Sequence, residues 1–162
     1  KMEELGMILD VSHTNEKTFW DMIEVTEGPL IATHSNARAL RAVDRNLTDQ
    51  QIRAIALRGG LIGLNAARNF IAADPQQQDA LHLAAHGRYI ADLAGVNTLA
   101  VGFDFMDFLD GHTTSMASDL THAGQAQNLM KGLRAQGFSE QQCRDIGYDN
   151  VIGLLKRVLK QE

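Results

Sequence analysis

Two histidines, His13 and His34, each close a short apolar run, Met7-Ile8-Leu9-Asp10-Val11-Ser12-His13 and Pro29-Leu30-Ile31-Ala32-Thr33-His34. Neutral imidazole is the commonest side-chain metal ligand. Between the runs, Glu16 to Glu27 carries Trp20, Met22 and Ile23 at helical spacing. Thr14-Asn15 can cap its start, and Gly28-Pro29 stops it. A strand, a crossover helix and a second strand form a βαβ unit, whose strands are parallel. Both histidines then leave the C-terminal edge of one sheet, where α/β folds bind their ligands. Adjacent strands lie about 5 Å apart, so the two rings could share one metal ion. Taken singly, either histidine also fits a core or loop-capping role.

Other candidates lie around that pair. Asp104 follows Gly102-Phe103 at the end of a fourth apolar run. A carboxylate there can bind metal, act as a general acid/base, or merely cap a loop. Asp10 sits inside the first run, where a charge needs a partner, and it can orient a ligand histidine. Arg38, Arg41 and Arg45 follow His34. An arginine beside a metal site suits a bidentate grip on a carboxylate, although most arginines in such loops are solvated or salt-bridged. His82 and His86, spaced i, i+4, could chelate a metal, but they lie in an Ala/Leu-rich helix away from the strand ends and read as structural or surface residues. Cys143 reads as a half-buried small residue.

The elements that must position these residues alternate. Strands are expected over Met7–Val11, Leu30–Thr33, Leu61–Asn65 and Thr98–Phe103, and KMEEL reads as a helix end closed by Gly6. After His34, a turn and a short helix are expected. A helix then starts at Leu47 with Thr48 and Gln51 as a capping box and ends at Gly59-Gly60. Another runs from about Gln77 to Ala94. Two more are expected over Ala117–Gln136 and Ser139–Lys160, the latter with Ser139 and Gln142 as a capping box. The pattern βαβαβαβα is an α/β chain of four βα units plus C-terminal helices over a single segment, 1–162. It matches half of a (β/α)8 TIM-like barrel, which needs about 250 residues. A half barrel leaves open edges and an uncovered inner face. The chain is therefore expected to be a segment of a longer enzyme, or to work with a second chain or copy, a homodimer included. An open doubly wound sheet is the alternative, but Asp10-Val11-Ser12-His13 is not the Gly-rich loop such sheets carry after strand one.

The 162 residues are 44% hydrophobic, enough for a core, with a net charge of −5 and a pI of about 5.6. That balance argues against nucleic acid or an anionic membrane as partner. No apolar run reaches the ~18 residues of a membrane span. The opening Lys1-Met2-Glu3-Glu4 lacks the pattern of a secretory signal. The single cysteine excludes an internal disulfide and suits a reducing compartment, which favours the cytoplasm.

Several stretches in order resemble the membrane (renal-type) dipeptidases, the M19 metallopeptidases of the amidohydrolase group. They are LGMILDVSH, ATHSNARAL with RNLTDQQIRAIALRGGLIGLN, HGRYIADLAGVNTLAVGFDF and SEQQCRDIGYDNVIGLLKRV. The resemblance covers nearly the whole chain and aligns it with the C-terminal half of the family's barrel. It implies a hydrolase that cleaves dipeptides at a site of two zinc ions. It makes His13 and His34 ligands of the second zinc, and Asp104 the acid/base for the attacking water and the leaving amine. Arg45 becomes the clamp on the substrate's terminal carboxylate and Asn65 a pocket-lining residue. The family's His-x-Asp motif and metal-bridging glutamate have no counterpart in these residues. The resemblance therefore implies an N-terminal half, in cis or in trans, as a partner. Gly102-Phe103-Asp104-Phe105-Met106 replaces the usual G-S-D-F-D, so Met106 stands where a second aspartate is usual. Two other readings stay open: a non-catalytic half-barrel fragment or subunit whose role is association, and a relative that cleaves another small amide or lactam.

Overall fold

The computed structural model describes residues 1–109 and 112–159. Among them the strands are β1 (Leu9–Asp10), β2 (Leu30–Ile31), β3 (Ile62–Leu64) and β4 (Leu99–Val101). β1 pairs with β2 and β3 with β4, both parallel. A parallel bridge between Ala32 and Ile62 joins the two pairs. The bonds Ala32 N–H to Leu61 O (2.8 Å) and Gly63 N–H to Ala32 O (2.8 Å) secure it. The strands thus run in chain order, without the order reversal of a doubly wound sheet. Their regular cores are shorter than the apolar runs that encode them.

The intervening helices are α1 (Glu16–Val25), α2 (Asp49–Leu57) and α3 (Ala80–Ala94). Each starts on a side-chain cap. Asn15 accepts from Thr18 N–H, Thr48 forms the expected capping box with Gln51, and Asp79 accepts from His82 N–H. Their inner faces bury Phe19, Ile52, Ile55, Leu83 and Ile90 against Leu30, Ile62, Leu64 and Leu99 of the strands. The continuous apolar strand runs are explained by this cover.

Three expectations need correction. The segment after His34 forms turns and no helix, because Ala37 N–H donates to the His86 ring (3.1 Å) and the Arg38 side chain donates to Asn46 O (2.9 Å). Residues 117–126 are not the first turns of a long helix; α4 covers only Gln127–Ala135. Tertiary bonds take the backbone there, with Ser118 N–H on Gln78 O (2.9 Å) and Asn128 Nδ2 on Asp119 O (2.7 Å). The final helix begins at the predicted Ser139/Gln142 box but is split into α5 (Glu140–Arg144), a π-helical turn at Asp145–Asp149, and α6 (Asn150–Val158). Its predicted end, Lys160, lies outside the described residues. KMEEL is a 3-10 turn (Glu3–Leu5) closed by Gly6 at φ 73°.

α6 crosses the N-terminal ends of the strands. Asn150 Nδ2 donates to Val96 O (2.9 Å) and Leu99 O (2.8 Å), and Arg157 Nη2 to Gly59 O (2.9 Å). Leu154 packs with Leu61 and Ala100, flanked by Ile8 and Ile31. No described helix is long and apolar enough to cross a membrane.

Candidate active site at the C-terminal strand edge

His13 and His34 meet as their spacing predicts. β1 ends in a turn in which Thr14 Oγ1 donates to Val11 O (2.8 Å), and β2 runs on to His34. The two Nε2 atoms stand 2.9 Å apart, with ring centroids 5.0 Å apart and planes tilted by 59°. Asp104 arrives from the end of β4, its Oδ2 3.9 Å from His34 Nε2.

Among the described residues, His13 (φ 68°) and Asp104 (φ 61°) are the non-glycine positions with left-handed backbone. A left-handed conformation costs a β-carbon residue roughly 1–2 kcal/mol. Such strain persists where the surroundings over-determine it, and it concentrates at functional sites. Here it turns both side chains over the strand ends.

His34 is held from several sides. Its backbone N–H donates to Ser12 Oγ (3.1 Å), and its Nδ1 lies 2.7 Å from Thr33 Oγ1. Burial pushes its pKa below the usual histidine value. The Asp104 carboxylate opposes that shift, while the Arg45 guanidinium and His13 add to it. A neutral ring is the form that binds metal. Asp10 is engaged as a strand carboxylate must be. Its Oδ1 accepts from Ser12 N–H (2.9 Å) and Thr33 N–H (3.0 Å), and its Oδ2 from Thr33 Oγ1 (2.6 Å).

The three arginines separate. Arg38 is spent on Asn46 O and Asp44 O, and Arg41 on Asn69 O. Arg45 reaches the edge, with Nη1 on Ser35 Oγ (3.1 Å), Nη2 on His34 O (3.1 Å) and its guanidinium over the Phe70 ring. Among the described residues its buried Nε has no hydrogen-bond partner. A pocket of about 250 Å³ opens here, lined by His13, Ser35, Asp44, Arg45 and Asn46 among others. Asn65 is 1% exposed and underlies the edge. Its amide accepts from Ala67 N–H (2.6 Å) and points Nδ2 at His34 O (3.5 Å). The buried Asn36 bonds the Asn65 backbone on both sides, at 2.9 and 3.0 Å.

Thr33, Ser12, Ser35 and Asn36 escaped the sequence reading. Their signal was adjacency: each sits within two residues of a histidine already singled out. His86 is structural as expected, buried between Ala37 N–H and Ile71 O (2.9 Å). Cys143 is buried rather than half-buried, which raises its thiol pKa.

Two imidazole nitrogens facing one point, with a carboxylate beside them, can hold part of a metal coordination sphere. Tetrahedral zinc with bonds of 2.0–2.1 Å spaces two nitrogens by about 3.3 Å, so a small opening of the observed pair fits. No group of three His, Cys, Asp or Glu among the described residues is placed to hold an ion. A catalytic zinc uses three protein ligands.

A family profile described as membrane dipeptidase (peptidase family M19) matches residues 1–162. A protein encoded in the pqqA 5′ region of Klebsiella pneumoniae is 37% identical over 164 residues, covering 99% of this chain and 58% of that protein. Dipeptidase ataJ of Aspergillus terreus is 30% identical over 154 residues, 94% of this chain and 36% of that one. Among solved structures, a Rhodobacter sphaeroides metallopeptidase bound to a phosphinate mimic of L-Ala-D-Ala superposes with a TM-score of 0.85. It is 32% identical and covers 98% of this chain and 44% of its own. A family M19 metallopeptidase, dipeptidase AC, superposes with a TM-score of 0.84 at 33% identity, covering 97% and 46%. The chain thus spans about half the length of the relatives it matches.

Proposed function

This chain belongs to the membrane dipeptidase family, peptidase family M19, and we propose that it forms the C-terminal half of a (β/α)8 barrel that hydrolyses dipeptides at a zinc site. The observation that carries this reading is the meeting of His13 and His34 through their Nε2 atoms beside Asp104. The sequential parallel order β1-β2-β3-β4 and the open strand edge support the half barrel. His13 and His34 supply two ligands. The others come from residues outside these 162, in cis or from a partner chain, because two histidines alone rarely hold a catalytic zinc.

A zinc ion held by His13, His34 and the ligands from outside these residues would supply a bound water of near-neutral pKa and a Lewis acid for the substrate carbonyl. The chain's own residues do the rest. Arg45, already aimed into the pocket by Ser35 Oγ and His34 O, binds the substrate's terminal carboxylate. That clamp fixes the scissile bond one residue from the substrate's C-terminus, as cleavage of a dipeptide requires. Asp104 accepts the proton of the attacking water at its carboxylate and returns it to the leaving nitrogen.

The test is hydrolysis of Ala-Ala against Ala-Ala-amide by the complete protein, these residues together with the half that supplies the remaining ligands, before and after chelator treatment. Zinc-restorable cleavage of the free acid and poor cleavage of the amide are expected. Arg45→Met should narrow that preference, lowering kcat/KM on the free acid by about 100-fold, as loss of charge-assisted hydrogen bonds implies. Equal rates on acid and amide, unaffected by Arg45→Met, would overturn the clamp. Activity that survives complete zinc removal would overturn the metal centre.

A further inference from the structure

The side chain of Thr33 sits between a carboxylate and a histidine that faces a second histidine. Its Oγ1 lies 2.6 Å from Asp10 Oδ2 and 2.7 Å from His34 Nδ1. A hydroxyl has one proton, and an ionised carboxylate can only accept. Asp10 is held ionised: burial works against the charge, but the bonds from Thr33 and Ser12 outweigh it and lower its pKa. The Thr33 proton therefore goes to Asp10, and toward His34 the oxygen is an acceptor. His34 Nδ1 must then carry the ring's proton.

We propose that Thr33 is a positioning residue that locks His34 in its Nδ1–H form, leaving the Nε2 lone pair aimed at the point it shares with His13. The 2.9 Å contact between the two Nε2 atoms agrees. It has room for one proton, which His13 supplies when no metal is present. Ser12 Oγ completes the arrangement, 3.3 Å from Thr33 Oγ1 and accepting from His34 N–H at 3.1 Å. Orienting partners of this kind typically change metal affinity by about 10–100-fold. The tautomer follows from these contacts alone; its consequence for affinity rests on the proposed zinc site.

The test uses the full chain labelled with 15N-histidine, metal-free at pH 8, with the His34 ring assigned by loss of its signals in His34→Gln. Nδ1 should show the shift of a protonated ring nitrogen and Nε2 that of a bare one. Thr33→Val should mix the two tautomers and raise the zinc dissociation constant, measured by competition with a chromophoric chelator, by about 10–100-fold. Thr33→Ser should restore both. A wild-type His34 protonated at Nε2 overturns the proposal without any variant, so a poorly folded Thr33→Val cannot shield it. Unchanged tautomer and affinity in a folded Thr33→Val also overturn it. A complete wild-type protein, with the half that supplies the remaining ligands present, that shows the expected tautomer but binds no zinc supports the lock and defeats the metal-centre reading instead.

Discussion

The two ends of the same four strands are built on opposite principles. At the N-terminal end, α6 lies across the sheet and buries Leu154 with Leu61 and Ala100, while Asn150 and Arg157 satisfy the carbonyls of Val96, Leu99 and Gly59. Among the described residues, no non-glycine position at that end takes left-handed backbone. At the C-terminal end, polar side chains converge, His13 and Asp104 take left-handed backbone, and the buried Arg45 Nε has no hydrogen-bond partner among the described residues. One end stabilises the fold and the other holds stability-costing features in place. The candidate chemistry sits at the C-terminal strand ends, where α/β folds bind their ligands.

That contrast can be broken by exchanging the effects of substitution. His34→Ala is expected to reduce dipeptide hydrolysis below detection, since even an outer partner of a metal ligand is worth about 10–100-fold, with little change in the urea midpoint. Leu154→Ala should do the reverse. It should cost about 2–5 kcal/mol in urea unfolding, as for other buried leucines, while leaving KM of the remaining folded enzyme near wild type. His13→Gly sharpens the comparison further. It should stabilise the chain by about 1 kcal/mol, through relief of the left-handed strain, while weakening zinc binding. A site residue that stabilised the fold would lose stability on the same substitution.

The smallest expected effect is a pH dependence. Asp10's folded pKa is depressed, so its contribution to stability is present above the unfolded carboxylate value of about 4 and is lost as pH falls through the lower folded value. Urea midpoints of wild type and Asp10→Asn should therefore differ most at neutral pH and converge in acid. A gap that widens below pH 4 would show that the sign is wrong.

Much of this was legible in the chain. Capping residues announced α1, α2 and α5, because a cap is a local bond between neighbours: Asn15, Thr48 and Ser139 each accept from a backbone N–H three residues on. The meeting of His13 and His34 was legible because parallel strands joined by one helix end at one edge. The course of residues 117–126 was not, since helix-compatible residues there are held by partners far off in the sequence: Ser118 N–H donates to Gln78 O and Asp119 Oδ1 accepts from Ala80 N–H. The separation of Arg45 from Arg38 and Arg41 was not legible from composition either. It depends on carbonyls of Asp44, Asn46 and Asn69 that no pattern marks. Thr33 carried no warning beyond its place beside His34.

The most direct test of the central claim is anomalous diffraction at the zinc edge from crystals of the full-length protein grown with zinc. The account predicts a peak about 2.0–2.1 Å from both His13 Nε2 and His34 Nε2, with Asp104 beside it. A fully metallated crystal with its zinc bound elsewhere, and the two rings still hydrogen-bonded to each other, would contradict it.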